Sequence, residues 1–194
     1  MTSSDLTALP DDAKTRAASR VGSSLDPVDL VDAATGSVRV GFACAEFNGG
    51  ITDRMLTAAL DELERSGCDL ATTVVAWVPG AFELPLVARG MAASGRVDAV
   101  VALWAVIRGD TGHYDFVAGE CASGLQRVQL DSGLPMVFGV LTTDTVDQAL
   151  VRSLPDRTNK GAEAARTALE TVSVLRGLED LPSANRVGFT VGGR

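Results

Sequence analysis

Histidine is almost missing from this chain: His113 is the single one among 194 residues. One imidazole with no second histidine or nearby thiol makes a poor metal site, so no metal is expected. The three cysteines, Cys44, Cys68 and Cys121, are odd in number and form no CxxC pair. Neither a disulfide framework nor a zinc knuckle fits that pattern; they read as buried structural thiols, at home in a reducing cytoplasm. Basic residues are outnumbered, 17 Lys and Arg against 25 Asp and Glu, for a net charge of −8. A nucleic-acid partner is therefore not expected, because phosphate backbones are held by a stripe of cations that displaces counterions. A small phosphorylated ligand stays compatible with the acidic balance, since one or two cations and a few backbone N–H groups suffice for it. No uncharged apolar run of ~18 residues occurs, and MTSSDLTALPDD has no basic segment leading into an apolar one. Neither a membrane span nor export is expected. Neither GxGxxG nor GxxxxGK[ST] is present, so a dinucleotide or triphosphate site is unsupported.

Hydrophobic residues nevertheless make up 46%, enough for a buried core, and with aromatics at 5% the filling is mostly Ala, Val and Leu. Residues 1–36 are rich in Ser, Asp, Ala and Thr without a sustained apolar period and read as a mobile N-terminal arm. From Ser37 the texture changes. SVRVGFACA reads as a strand, and Ile51, Met55, Leu56, Leu60 and Leu63 then recur at helical spacing. The alternation continues with DLATTVVAWV as strand, AFELPLVARGMAAS as helix, VDAVVALWAVI as strand, and a helix from His113 closed by Gly133. LPMVFGVLT is a further strand, TVDQALVRS a short helix behind Asp144 as N-cap, and AEAARTALETVSVLRGL the last long helix. Central strands that are apolar on both faces predict an α/β fold, a parallel sheet sandwiched between helices in a single domain over residues 37–178. Residues 179–194 read as an irregular C-terminal tail.

In an open parallel sheet ligands gather beyond the carboxyl ends of the strands. Four segments fall there: AEFNGG, VPGAFE, IRGDTGHYD and FGVLTTDT. In IRGDTGH a glycine-containing turn feeds a helix, whose unpaired N–H groups and dipole favour an anion; Gly109, Asp110 and Thr111 form either such a cradle or a plain helix cap. His113 follows two residues later. An imidazole ordinarily titrates near ~6.5, so it is either a proton-transfer group or a surface residue. Phe47 can stack on a flat heterocycle and Asn48 can bond its edge, or they are a core ring and a turn residue. Glu83 either favours a helix dipole or accepts from sugar-like hydroxyls. Arg152 and Lys160 stand near chain reversals, as solvated charges or as ligands for a phosphate or carbonyl oxygen.

Taken in order, AEFNGGIT, WVPGAFELP, AVIRGDTGHYDFV, FGVLTTDTVDQALVRS and NKGAEAA resemble the 6,7-dimethyl-8-ribityllumazine synthases from about Val38 to Leu178. The resemblance implies a flavodoxin-like fold and a transferase of riboflavin biosynthesis. Its reaction would condense 5-amino-6-(D-ribitylamino)uracil with 3,4-dihydroxy-2-butanone 4-phosphate, without cofactor or metal. It further implies a cytoplasmic homopentamer, in some members a larger shell, with active sites between adjacent subunits. On those terms Phe47 stacks on the pyrimidine, and Asn48, Ala81, Phe82 and the backbone of Ala105, Val106 and Ile107 help hold ring and side chain. Glu83 binds ribityl hydroxyls; Asp110, Thr111 and Arg152 take the phosphate; His113 moves protons. From the neighbouring subunit Phe138 closes the pocket and Lys160 reaches the pyrimidine carbonyl, with Glu163 close by. Two positions depart from the family's habit: Trp104 stands where a small residue is usual, and Asp156 where many members have lysine. Rival readings are a non-catalytic flavin- or lumazine-binding homologue and an assembly-forming scaffold.

Overall fold

The computed structural model describes residues 7, 8, 10, 12–20, 23–25 and 38–179. The C-terminal tail from residue 180 lies outside the described residues, as does most of the segment read as an arm. Within that segment a helix, α1 (Ala13–Arg20), and a short strand, β1 (Ser23–Leu25), are described. Helix α1 lays Ala13 and Ala17 against the core. Its Arg16 and Arg20 pair with Asp53, and with Asp61 and Glu64, on the next helix.

The remaining elements alternate as the apolar periods require. They are β2 (Val40–Ala45), α2 (Gly49–Arg65), β3 (Val74–Val78), α3 (Leu84–Ala93) and β4 (Ala99–Ile107). Then come α4 (His113–Ser132), β5 (Met136–Thr143), α5 (Val146–Arg152) and α6 (Lys160–Glu179). All strands pair in parallel, in the order β1-β3-β2-β4-β5. Strands β2 and β4 are buried along nearly their whole length, as strands covered on both faces must be.

Period-two alternation divides the core into two layers. Val101, Leu103 and Ala105 of β4 face α2 and α6, among the fully buried Leu56, Leu60 and Leu63. Each such leucine contributes about 1.5–3 kcal/mol by leaving water. Val100, Ala102, Trp104 and Val106 point the other way, toward α3 and α4. That parity puts the Trp104 indole beneath the strand exits, where ligands gather. Helix α6 lies so close to α2 that a Cβ on Gly161 would overlap the Met55 backbone, so this crossing requires glycine.

Four expectations need correction. β3 starts at Val74, not Asp69: the Asp69 carboxylate accepts from Ala71 N–H at 2.9 Å and fixes a 3-10 turn over Leu70–Thr72. The helix expected from Ala81 begins at Leu84, after a separate 3-10 turn over Ala81–Glu83. Helix α5 is capped by Thr145, whose hydroxyl accepts from Gln148 N–H at 3.2 Å; Asp144 is drawn instead to Arg108. Finally, Cys44 and Cys121 are buried but Cys68 only half so. Burial, assisted by the charge of Asp53, raises the Cys44 thiol far above its ordinary range, and burial pushes Cys121 up to about 12.

Candidate active site

A cavity of about 550 Å³ opens beyond the carboxyl ends of β2, β3 and β4. Phe47 and Asn48 form one side. Pro79 and Gly80, with Ala81, Phe82 and Glu83, form the next. Trp104, Val106 and Ile107 come from β4, and Gly109, Thr111, His113, Tyr114 and Val117 complete the wall. Ten of these fifteen side walls are apolar or glycine, and the polar groups are few, the usual make-up of a small-molecule site.

Local chemistry explains each placement. Asn48 precedes α2 in the left-handed region, φ 58°, where asparagine is tolerated, and its Nδ2 donates to the Ala105 carbonyl at 2.8 Å. The Phe47 ring is left 68% exposed at the rim, and its carbonyl accepts the indole N–H of Trp104. Glu83 closes its own turn by accepting from Gly80 N–H at 3.1 Å, so one carboxylate oxygen is engaged and the group stays in solvent. Gly112 precedes α4 and caps nothing with a side chain. The first-turn N–H groups of this 20-residue helix therefore face the loop, where Thr111 Oγ1 accepts from His113 N–H at 3.4 Å. The His113 imidazole itself has no hydrogen bond to any described residue and opens on the cavity. Asp110 is exposed on the same loop but is not part of the cavity wall.

Arg108 holds that loop, and sequence reasoning passed over it. Its backbone N–H donates to Thr143 O at 2.8 Å, and its guanidinium reaches Asp144 at 3.0 Å and Asp115 at 3.4 Å. The same group lies 4.1 Å above the Tyr114 ring, in cation–π range. A cation at a strand exit with acids seven residues on and at the next exit was the available signal.

Four other candidates lie elsewhere. Phe138, Arg152, Lys160 and Glu163 line a second concavity, about 490 Å³, along β5 and α6. No residue lines both. Lys160 Nζ and Glu163 pair at 2.5 Å, and Arg152 donates to Gln148 O at 2.9 Å. Arg152 is thus apart from Thr111 within one chain, and Ala105 offers only its backbone, already bonded to Asn48. Among the described residues no three His, Cys, Asp or Glu side chains converge as a metal site would need. No helix among them is long and apolar enough to cross a membrane.

A parallel sheet whose strand exits surround an aromatic platform, a carboxylate and a histidine at a helix N-terminus defines a small-molecule α/β protein with an anion-receptive end. Comparison with known proteins narrows that class. The family model described as 6,7-dimethyl-8-ribityllumazine synthase matches residues 37–176, and the chain belongs to that family. It is 54% identical over 143 residues to a 6,7-dimethyl-8-ribityllumazine synthase of Edwardsiella ictaluri (strain 93-146), covering 73% of this chain and 91% of that one. It is 51% identical over 136 residues to the protein of the same name from Protochlamydia amoebophila (strain UWE25), covering 70% and 79%.

Proposed function

We propose that this chain is a transferase of riboflavin biosynthesis that condenses 5-amino-6-(D-ribitylamino)uracil with 3,4-dihydroxy-2-butanone 4-phosphate. The product is 6,7-dimethyl-8-ribityllumazine, with release of phosphate and water. The observation that carries this reading is the cavity itself. In a chain of this family, it gathers Phe47, Glu83, Thr111 and His113 around one space of about 550 Å³.

In this reading the pyrimidine lies on Phe47, flanked by Asn48, Ala81, Phe82 and the backbone of Ala105, Val106 and Ile107, and Glu83 accepts from ribityl hydroxyls. The butanone phosphate meets Thr111 and the N-terminus of α4. Asp110 serves there through its N–H, since its carboxylate would repel the anion. His113 gives and takes protons as the amine adds to the ketone, water leaves and phosphate departs. General acid–base help is worth about 10²–10⁴ in rate, whereas holding two reactants in contact is worth effective molarities of about 10⁵–10⁸ M. Positioning is therefore the larger share.

Phe138, Arg152, Lys160 and Glu163 enter from a second copy, whose β5–α6 surface closes the cavity mouth. That supplies the phosphate end with a further cation, since the guanidinium of Arg108 on its loop is already paired with Asp144 and Asp115, and favours a ring of subunits, a homopentamer, that could associate further. We further propose residues 37–178 as the catalytic domain, a cytoplasmic location, and no requirement for cofactor, metal or nucleic acid. Mixing the two substrates with the protein and following lumazine absorbance tests the reading. Product formed no faster than in protein-free buffer overturns it.

A further inference from the structure

Trp104 is the largest side chain in the wall of the cavity and is 6% exposed, yet none of the chemistry above uses it. Its indole sits on the α3–α4 face of β4, directly under the cavity, and its N–H donates to the Phe47 carbonyl. The following residue, Asn48, donates from its side chain to the Ala105 carbonyl at 2.8 Å, one position further along β4. On the opposite side the Phe47 N–H donates to Pro79 O at 3.2 Å and Glu46 N–H to Val78 O at 2.8 Å. The turn bearing the exposed Phe47 ring is thus slung between β3 and β4. Two of its tethers come from consecutive residues of β4.

The phosphate end of the cavity is held by other means. Its loop is fixed through Arg108, which bonds to Thr143, Asp144 and Asp115 and covers Tyr114. None of those bonds involves Trp104. The two ends of one cavity therefore have separate supports.

We propose that Trp104 is a positioning residue for the ring-binding end of the site: its N–H fixes the height and tilt of Phe47, and its indole forms the floor beneath the bound heterocycle. This rests on the reading that Phe47 receives the pyrimidine. The ligand class it selects is a flat heterocycle thin enough to lie between Phe47 and that floor. Its effect falls on one substrate and not on the other.

Two variants test this in the full-length protein. Trp104→Phe keeps an aromatic floor and loses the donor. Uniform replacement of tryptophan by 3-benzothienylalanine keeps the shape and loses only the N–H. Among the described residues the buried Nε1–H of the other tryptophan, Trp77, has no partner, so among them the second route removes a single hydrogen bond. Loss of one such bond to a positioned carbonyl corresponds to about a five- to tenfold change. The expected result is that KM for the ribitylaminouracil rises by about that factor in both proteins, while KM for the butanone phosphate changes less than about twofold.

Equilibrium dialysis of 6,7-dimethyl-8-ribityllumazine supplies a readout without turnover, with the dissociation constant expected to rise in parallel. Unchanged constants for the uracil and the lumazine, or equal changes for both substrates, overturn the proposal. If the parent protein makes no product yet binds lumazine, and the replacements weaken binding, the functional reading falls while the role of Trp104 stands. A parent protein that neither turns over nor binds lumazine removes both.

Discussion

Co-expressing two crippled variants, Phe47→Ala and Arg152→Ala, asks directly whether one active site draws on two copies of the chain. Phe47 lines the first cavity and Arg152 the second concavity, and no residue is common to the two. Losing the aromatic platform costs about 1–3 kcal/mol of stacking, and losing a charge-assisted bond to phosphate about 1.5–3 kcal/mol. At 1.4 kcal/mol per factor of ten, Phe47→Ala alone should retain about a fifth of kcat/KM or less, and Arg152→Ala about a tenth or less. In a head-to-tail ring each site takes one half from each of two neighbours. With equal, random incorporation, the unaltered cavity comes from the Arg152→Ala chain in half of the cases. The unaltered β5–α6 surface comes from the Phe47→Ala chain in half. About one site in four is then fully native, and the mixture should recover about a quarter of parental activity. If both halves instead belonged to one chain, no chain in the mixture would be intact. Activity at the mean of the two single variants, measured by lumazine absorbance at subsaturating substrate, refutes the shared site.

Three further outcomes follow from the same geometry. His113→Ala should lower kcat on the order of a hundredfold without abolishing product, because the reactants remain held together; activity equal to the parent's would refute a proton-transfer role. Burial alone would raise the Asp98 carboxyl. Hydrogen bonds from the Arg39 side chain and backbone, with the charges of Arg39 and Arg176, hold it below its ordinary range instead. A lowered acid stabilises the fold above its ordinary value of ~3.9 and loses that contribution as pH falls through the folded-state value. Asp98→Asn should therefore cost about 1.5–3 kcal/mol in urea melts at pH 7, with the gap closing in acid; a gap unchanged by pH would contradict the assignment. Burial raises all three thiols, so a thiol reagent at neutral pH should find only half-buried Cys68 slowly reactive, and all three after unfolding; rapid native-state reaction at Cys44 or Cys121 would exclude their burial.

What was legible in the sequence was whatever a short window decides by itself. Strand β4 could be read because AVVALWAVI lies between two other strands and two helical layers, so polar residues are excluded from both of its faces. The end of α4 was readable because Gly133 takes φ 70°, which a glycine accepts at no cost. The misjudged boundaries share a cause. Asp69 could bond the backbone two residues on and so divert a β-rich stretch into a turn. Asp144 failed as a cap because a distant cation, Arg108, claimed its carboxylate, leaving the role to Thr145.

The site followed the same division. Strand exits announce themselves locally, so Phe47, Glu83, Thr111 and His113 could be named in advance, and the fold brings them to one cavity. Arg152 could not be located by that rule, because its position depends on β5 being the last strand of the sheet, a fact about strand order and not about any segment. Among the described residues no further strand pairs with the edge of β5, and Phe138 is 42% exposed there. A half-exposed phenylalanine beside Lys160, Glu163 and Arg152 is a surface made of the groups the first cavity lacks: a cation for an anionic ligand and an apolar lid for an open aromatic platform. In the shared-site reading proposed above, a second copy rotated into place relieves these complementary deficits. A closed ring satisfies every chain in that way, because each copy then offers its edge to one neighbour and its cavity to the other.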